Sequence, residues 1–127
     1  REVEHLTIRF DGREREVRVL HDTGNGLCEP VSGKPVVVLE RKAAAFLLGG
    51  ALPDSTKDAA SLLAALPPGL ARRCGLVPYR AVGPEGGLLL YFRPDSVCRA
   101  DGGMLDCVCA VGPQNLGRGA YEGLIGV

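Results

Sequence analysis

Arg15-Glu16-Val17-Arg18-Val19-Leu20 runs into His21 and then Asp22-Thr23-Gly24-Asn25, and the reading of this junction decides the fold. Val17 and Val19 alternate with charged residues, which is the pattern of a half-buried strand. Asp, Thr, Gly and Asn then end it, because their side chains satisfy local backbone groups and glycine tolerates backbone angles that other residues avoid. Taken alone, the tetrapeptide is an Asx turn between two strands. A calcium loop is a poor alternative, since Gly24 stands where the third ligand belongs and Glu29 misses the final ligand position.

The surroundings are β-patterned on both sides. Glu2 to Phe10 alternates, with Val3, His5, Thr7 and Arg9 against Glu4, Leu6, Ile8 and Phe10, and Asp11-Gly12 turns the chain into Arg15 to Leu20. This hairpin delivers the chain to Asp22. Beyond the loop from Gly24 to Lys34, Pro35-Val36-Val37-Val38-Leu39-Glu40 is continuously apolar, as expected of a strand covered on both faces. Arg41 to Gly49 and Ser55 to Leu66 have helical spacing, the second with a cap at Asp54-Ser55 and a stop at Pro67-Pro68-Gly69. From Gly75 the β pattern returns. Leu76 to Val82 and Gly87 to Arg93 flank the glycine-rich tip Gly83-Pro84-Glu85-Gly86, and Val97 to Ala100 with Met104 to Val111 make a second expected hairpin around Asp101-Gly102-Gly103. Gly112 to Gly119 leaves the sheet, and Tyr121 to Val127 is an apolar tail.

Composition narrows the function classes. A chain of 127 residues makes one domain with one core. Its 15 basic and 15 acidic side chains give no net charge and no basic patch, which argues against nucleic acid as a partner. No apolar run reaches the roughly 18 residues of a membrane span, and the start at Arg1 reads as a fragment of something longer. Cys28, Cys74, Cys98, Cys107 and Cys109 are an odd, scattered set that favours a reducing compartment and structural thiols. A zinc or redox module built on Cys98, Cys107 and Cys109 is the competing reading, weakened by the lack of a matching Cys or His pair near them.

The loop after Asp22 resembles the catalytic loop of aspartic proteases. In particular, Asp22-Thr23-Gly24-Asn25-Gly26-Leu27-Cys28-Glu29-Pro30 followed by Gly33-Lys34-Pro35-Val36-Val37-Val38-Leu39-Glu40 is similar to the sporulation sigma-E factor processing peptidases, a retropepsin-like family. The phrases Leu76-Val77-Pro78-Tyr79-Arg80-Ala81-Val82-Gly83, Gly87-Leu88-Leu89, Phe92-Arg93-Pro94-Asp95 and Gly119-Ala120-Tyr121-Glu122-Gly123-Leu124-Ile125 extend the likeness over nearly the whole chain. The helical middle matches least.

That resemblance implies a mainly β fold, a retropepsin-like closed β-barrel with a helical insert and a glycine-tipped flap hairpin, spanning residues 1–127. It implies an aspartic endopeptidase whose catalytic residue is Asp22. Peptide hydrolysis by this route needs two carboxylates sharing a proton at about 3 Å. The motif occurs once here, so the second must come from another copy of the chain, and a homodimer is expected. Thr23 is placed to bond across the two-fold, Gly24 removes a Cβ that would block substrate, and Asn25 donates to the carboxylate and favours its charged form. Ala110-Val111-Gly112 corresponds to the apolar-apolar-glycine partner strand. Val82, Gly83, Gly86 and Gly87 belong to the flap, with Arg80 at its base as a contact for acidic substrate residues. No cofactor or metal is expected. The implied substrate is the N-terminal pro-segment of the sigma-E precursor, and the implied setting is a membrane-associated protein, anchored by a region preceding residue 1, with its protease domain on the mother-cell cytoplasmic side. A catalytically inactive interaction module of the same fold is the alternative. His21 departs from the aliphatic residue expected before the aspartate.

Overall fold

The computed structural model describes residues 2–22, 24, 26–50, 52–53, 58–80 and 86–126, with the backbone alone described for residue 80. Strands β1 (Val3–Phe10) and β2 (Arg13–His21) form the first hairpin, in which Leu6 pairs with Val17 and Phe10 with Arg13. Asp11 and Gly12 both take positive φ, 51° and 81°, as the tightest hairpin turn requires, so β2 starts two residues earlier than its alternation suggests.

The remaining strands are β3 (Val36–Leu39), β4 (Cys74–Arg80), β5 (Gly86–Phe92), β6 (Ser96–Arg99), β7 (Val108–Val111) and β8 (Gly123–Ile125). All eight described strands join one sheet in the order β4-β5-β7-β3-β8-β2-β1-β6. The fold is mainly β, as expected, but the described sheet does not close into a barrel. Its edges are β4 and β6, and no ladder joins them. The corner at 93–95 ties the two ends instead: Arg93 N donates to Arg73 O at 2.9 Å, and Asp95 N to Arg9 O at 2.8 Å. The Arg73 guanidinium lies 4.3 Å from the centre of the Phe10 ring and pairs with Asp95. The ends thus meet through a corner and side chains.

Two expectations about the second half are corrected. Met104 to Val111 does not return as a full hairpin partner of β6. Only Cys98 bridges Met104, with Leu105 N on Val97 O. The run Val108-Cys109-Ala110-Val111 instead lies parallel to β3 and antiparallel to β5. All four of its residues are buried, and a strand without a polar face needs covering on both sides, which the sheet centre supplies and an edge hairpin does not. The tail is the other correction: Gly123–Ile125 is an inner strand, parallel to β2 and antiparallel to β3.

Helices α1 (Arg41–Leu47), α2 (Ala59–Ala65) and α3 (Pro68–Ala71) cover the sheet, α1 against β2 and β7, and α2 against β4 and β5. Helix α2 starts later than its spacing suggests. The Asp58 carboxylate accepts from Ser61 N at 2.8 Å and makes Asp58 the N-cap; the cap expected at Asp54-Ser55 lies outside the described residues. Pro68, expected as a stop, opens α3 in the first helical turn, where its missing N–H costs nothing. The main core gathers Leu6, Ile8, Phe10, Val37, Leu90 and Phe92 with the helix faces, while Val36, Val38, Val77, Val108 and Ala110 form a second cluster.

Candidate active site

Asp22 leaves the end of β2 half-buried, and two bonds fix its place. Its amide donates to Ile125 O at 2.7 Å, and its Oδ1 accepts from Gly24 N at 3.1 Å. The second bond is the Asx turn read from the sequence. The turn and a chemical role are compatible, because the turn uses one lone pair of one oxygen.

Asp22 opens onto a cleft of about 910 Å³. Gly24, Gly26 and Leu27 continue the wall from the aspartate loop, while Pro78, Tyr79 and Leu88 come from the β4–β5 hairpin. Val38, Val111, Gly112 and Leu124 reach it from the central strands. The lining is largely apolar with few ionisable side chains, which suits a chain of amino acids held through its backbone and side chains.

The expected hairpin forms, but β4 begins two residues before Leu76, and Gly86, read as part of the tip, is the first residue of β5. Register runs from Cys74 opposite Phe92 to Arg80 opposite Gly86. Tyr79 stands across from Gly87 and Tyr91 across from Gly75, each ring lying where a Cβ on the glycine would come within 2.8 Å and 2.7 Å of it. Val82 and Gly83 of the expected flap tip lie outside the described residues, as do Thr23 and Asn25 of the loop. So does the Arg80 side chain.

Ala110 and Val111 are buried in β7, and Gly112 follows with its amide donating to Leu39 O at 2.7 Å. A Cβ on Gly112 would sit 2.7 Å from Val38 Cγ1 and 2.8 Å from that same oxygen, so the close approach of β7 to β3 requires glycine here. The structure therefore brings Asp22, Gly24, Val111 and Gly112 to one cleft, with Ala110 behind them.

Three cleft or loop residues were not foreseen. Arg41 lines the cleft with its Nη2 donating to Pro53 O at 2.6 Å. Asp58 lines it too, but its carboxylate caps α2, and the Ser61 amide followed by the Ser61 hydroxyl holds it below the usual aspartate range. The Asp-x-x-Ser spacing of 58–61 was the available signal for that cap. Ile125, the anchor of the Asp22 amide, was hidden in what reads as a tail. Asp22 and Asp58 are the only carboxylates among the described residues of this cleft, and the Asp58 carboxylate is engaged by the Ser61 amide.

Cys107 and Cys109 are buried, and Cys98 Sγ lies 3.3 Å from Met104 Sδ. Among the described residues no group of three or more His, Cys, Asp or Glu is arranged to hold a metal, and no helix is long and apolar enough to cross a membrane.

Residues 1–125 match the Peptidase_U4 family, described as sporulation factor SpoIIGA. The chain belongs to that family. No curated protein and no solved structure matches it. Membership in Peptidase_U4 identifies a processing peptidase of sporulation, and a protein is its class of substrate.

Proposed function

We propose that this Peptidase_U4 chain is an aspartic endopeptidase that works as a homodimer, each copy contributing Asp22 to one shared site. The observation that carries the reading is the solitary state of Asp22 in its cleft: the other described carboxylate there, Asp58, is engaged as the cap of α2, accepting from Ser61 N at 2.8 Å. Acid–base hydrolysis of a peptide needs one ionised and one protonated carboxyl at the same moment. A second Asp22, brought to about 3 Å by a two-fold axis, shares a proton with the first because two like charges at that distance do not both ionise.

In this reading the ionised member takes a proton from a bound water, whose oxygen attacks the scissile carbonyl carbon. The protonated member hydrogen-bonds the carbonyl oxygen as charge develops on it. The proton taken from water then passes to the leaving amine, and the C–N bond breaks. The β4–β5 hairpin serves as the flap that covers the peptide and excludes water, in a retropepsin-like arrangement. The substrate proposed is the N-terminal pro-segment of a sporulation sigma factor precursor. The domain works on the cytoplasmic face as part of a longer membrane-associated protein.

Replacing Asp22 with Asn or Ala tests the chemistry. Cleavage of the precursor should fall by about 10²–10⁴-fold or more. Undiminished cleavage by Asp22→Ala would end the aspartic reading and favour an interaction module. Sedimentation of the cleaving species tests the pairing, and activity that stays with a monomer at all concentrations would contradict a shared site.

A further inference from the structure

The face of β1, β2 and β6 that looks into the core is apolar through its middle, with Leu6, Ile8, Phe10, Val17, Val19 and Val97 all buried, and it carries Arg13 and Arg15 at the turn end. Close to Asp22 it is charged again. Glu4 pairs with Val19, and Arg99 with Leu6, while His21 is two residues beyond Val19, so all three side chains fall on this same face. They form one cluster. Glu4 Oε1 accepts from His21 Nε2 at 2.7 Å and from Arg99 Nη1 at 2.8 Å, and Glu4 Oε2 takes Arg99 Nη1 at 2.7 Å. The side chains of Glu4, His21 and Arg99 are only 17%, 22% and 32% exposed.

Such a cluster is an uneconomical way to stabilise a strand end. Desolvating an ion pair offsets most of its Coulomb gain, and an aliphatic residue at the same place would pack without that cost. What a carboxylate, an imidazole and a guanidinium provide instead is direction, because each hydrogen bond has a preferred axis. The imidazole belongs to the residue immediately before Asp22. Its own amide is held as well, by Glu2 O at 3.0 Å, and the next amide by Ile125 O.

We infer that His21 is a positioning residue for Asp22, locked by Glu4, which Arg99 in turn holds from β6. With the His21 side chain bonded to Glu4 of β1, which Arg99 of β6 holds in turn, and its amide bonded to Glu2 just before β1, the peptide joining His21 to Asp22 cannot rotate without breaking one of these bonds or the bond to Ile125. The direction in which β2 presents the carboxylate is thereby set from three strands. The inference rests on the proposed role of Asp22. It adds that the departure from an aliphatic residue at position 21 serves the geometry of the pair, where a misplacement of about 1 Å costs on the order of 100-fold in rate.

The test uses the full-length protein and one quenched-fluorescence peptide chosen by cleavage from a randomised pool. His21→Ala should lower kcat by about 10- to 100-fold with KM within about twofold of the parent. His21→Gln, which returns a nitrogen donor at nearly the reach of Nε2, should recover most of that loss. Glu4→Ala should mimic His21→Ala, and the double variant should be no worse than either. Unchanged kcat in His21→Ala overturns the inference. So does a fall in kcat matched by the unfolding midpoint and not rescued by Gln, since that is a packing effect alone. If His21→Ala does not fold, His21→Gln beside His21→Leu decides: equal kcat in the two overturns the inference. Asp22→Asn runs alongside. Full activity there sinks the site itself, whereas a dead Asp22→Asn with an unaffected His21→Ala sinks only the positioning role.

Discussion

The amide of Asp22 and the carbonyl of Ile125 are joined at 2.7 Å, so the last described strand, β8, holds the candidate catalytic residue in place. Strand β8 lies between β2, which arrives at Asp22, and β3, which follows the loop. Gly123 and Leu124 pair with β2 on one edge and with β3 on the other, whereas Ile125 pairs with β2.

Ile125→Ala should be costly. The side chain is 1% exposed in the main core, so its truncation is expected to remove about 2–5 kcal/mol in a urea titration, against about 0.5–1.5 for Ile125→Val. In the same variant, hydrogen exchange at the Asp22 amide should quicken more than exchange in the β1–β2 hairpin. Equal changes in both would mean that β8 stabilises the fold without serving the loop.

Gly112→Ala tests the close approach of β7 and β3. The added methyl group meets the Leu39 carbonyl, which cannot swing aside as a flexible side chain does, and the expected loss is about 1–3 kcal/mol. Gly26→Ala is the matched control in the same cleft, because no atom of the described residues beyond its chain neighbours lies within 4 Å of its Cβ position. Its stability should stay within about 0.5 kcal/mol of the parent. A Gly112→Ala protein as stable as the control would show that the two strands can part without strain.

The parts of this fold visible in the sequence are those that local pattern controls. Alternation placed β1 and β2, Asp11-Gly12 specified their turn, and the all-apolar run at 36–39 announced a covered strand. The β4–β5 hairpin was legible for the same reason. Pairing over long distance was not: nothing within 104–111 says that β7 will choose β3 over the neighbouring β6, since that depends on which partner buries both faces. Gly123–Ile125 is three residues long and looks like any apolar tail until a gap between β2 and β3 is there to receive it. At the site, Asp22 and the Ala110-Val111-Gly112 strand were recognisable from short motifs. Asp58 and Arg41 entered only when α1 and α2 packed beside the cleft.

Thiol reactivity should divide the cysteines sharply. The Cys109 thiol is pushed well above its ordinary range by its hydrogen bond with Cys107 and by full burial, and burial also raises Cys74. Cys28 is exposed. Brief alkylation of the native protein at pH 8 followed by mass mapping should label Cys28 first and leave Cys107 and Cys109 unmodified until the protein is denatured. Early labelling at Cys107 or Cys109 would mean that β7 opens readily, contrary to its central place in the sheet.

Acid should loosen the cleft wall by way of Glu29. This residue is 7% exposed, and its carboxylate accepts from Val31 N and Ser32 N, each at 2.9 Å. Its carboxylate is held below the usual 4.5 by the Val31 amide first, then by the Ser32 hydroxyl and the Ser32 amide. A folded-state value below the unfolded one means that Glu29 contributes stability above about pH 4.5, and that this contribution is lost as pH falls through the lowered value. The turn it closes feeds directly into the cleft, because Val36 N donates to Leu27 O and Leu27 lines the wall beside Asp22. Urea midpoints measured from pH 7 to pH 3 should therefore be flat at first and then decline below about pH 4.5. Glu29→Gln should start lower at pH 7 and decline less steeply, though not level off, since Asp58, Asp95 and Glu122 are also held below their usual values. An acid decline as steep in Glu29→Gln as in the parent would assign the loss to those other carboxylates and free the turn from any part in it.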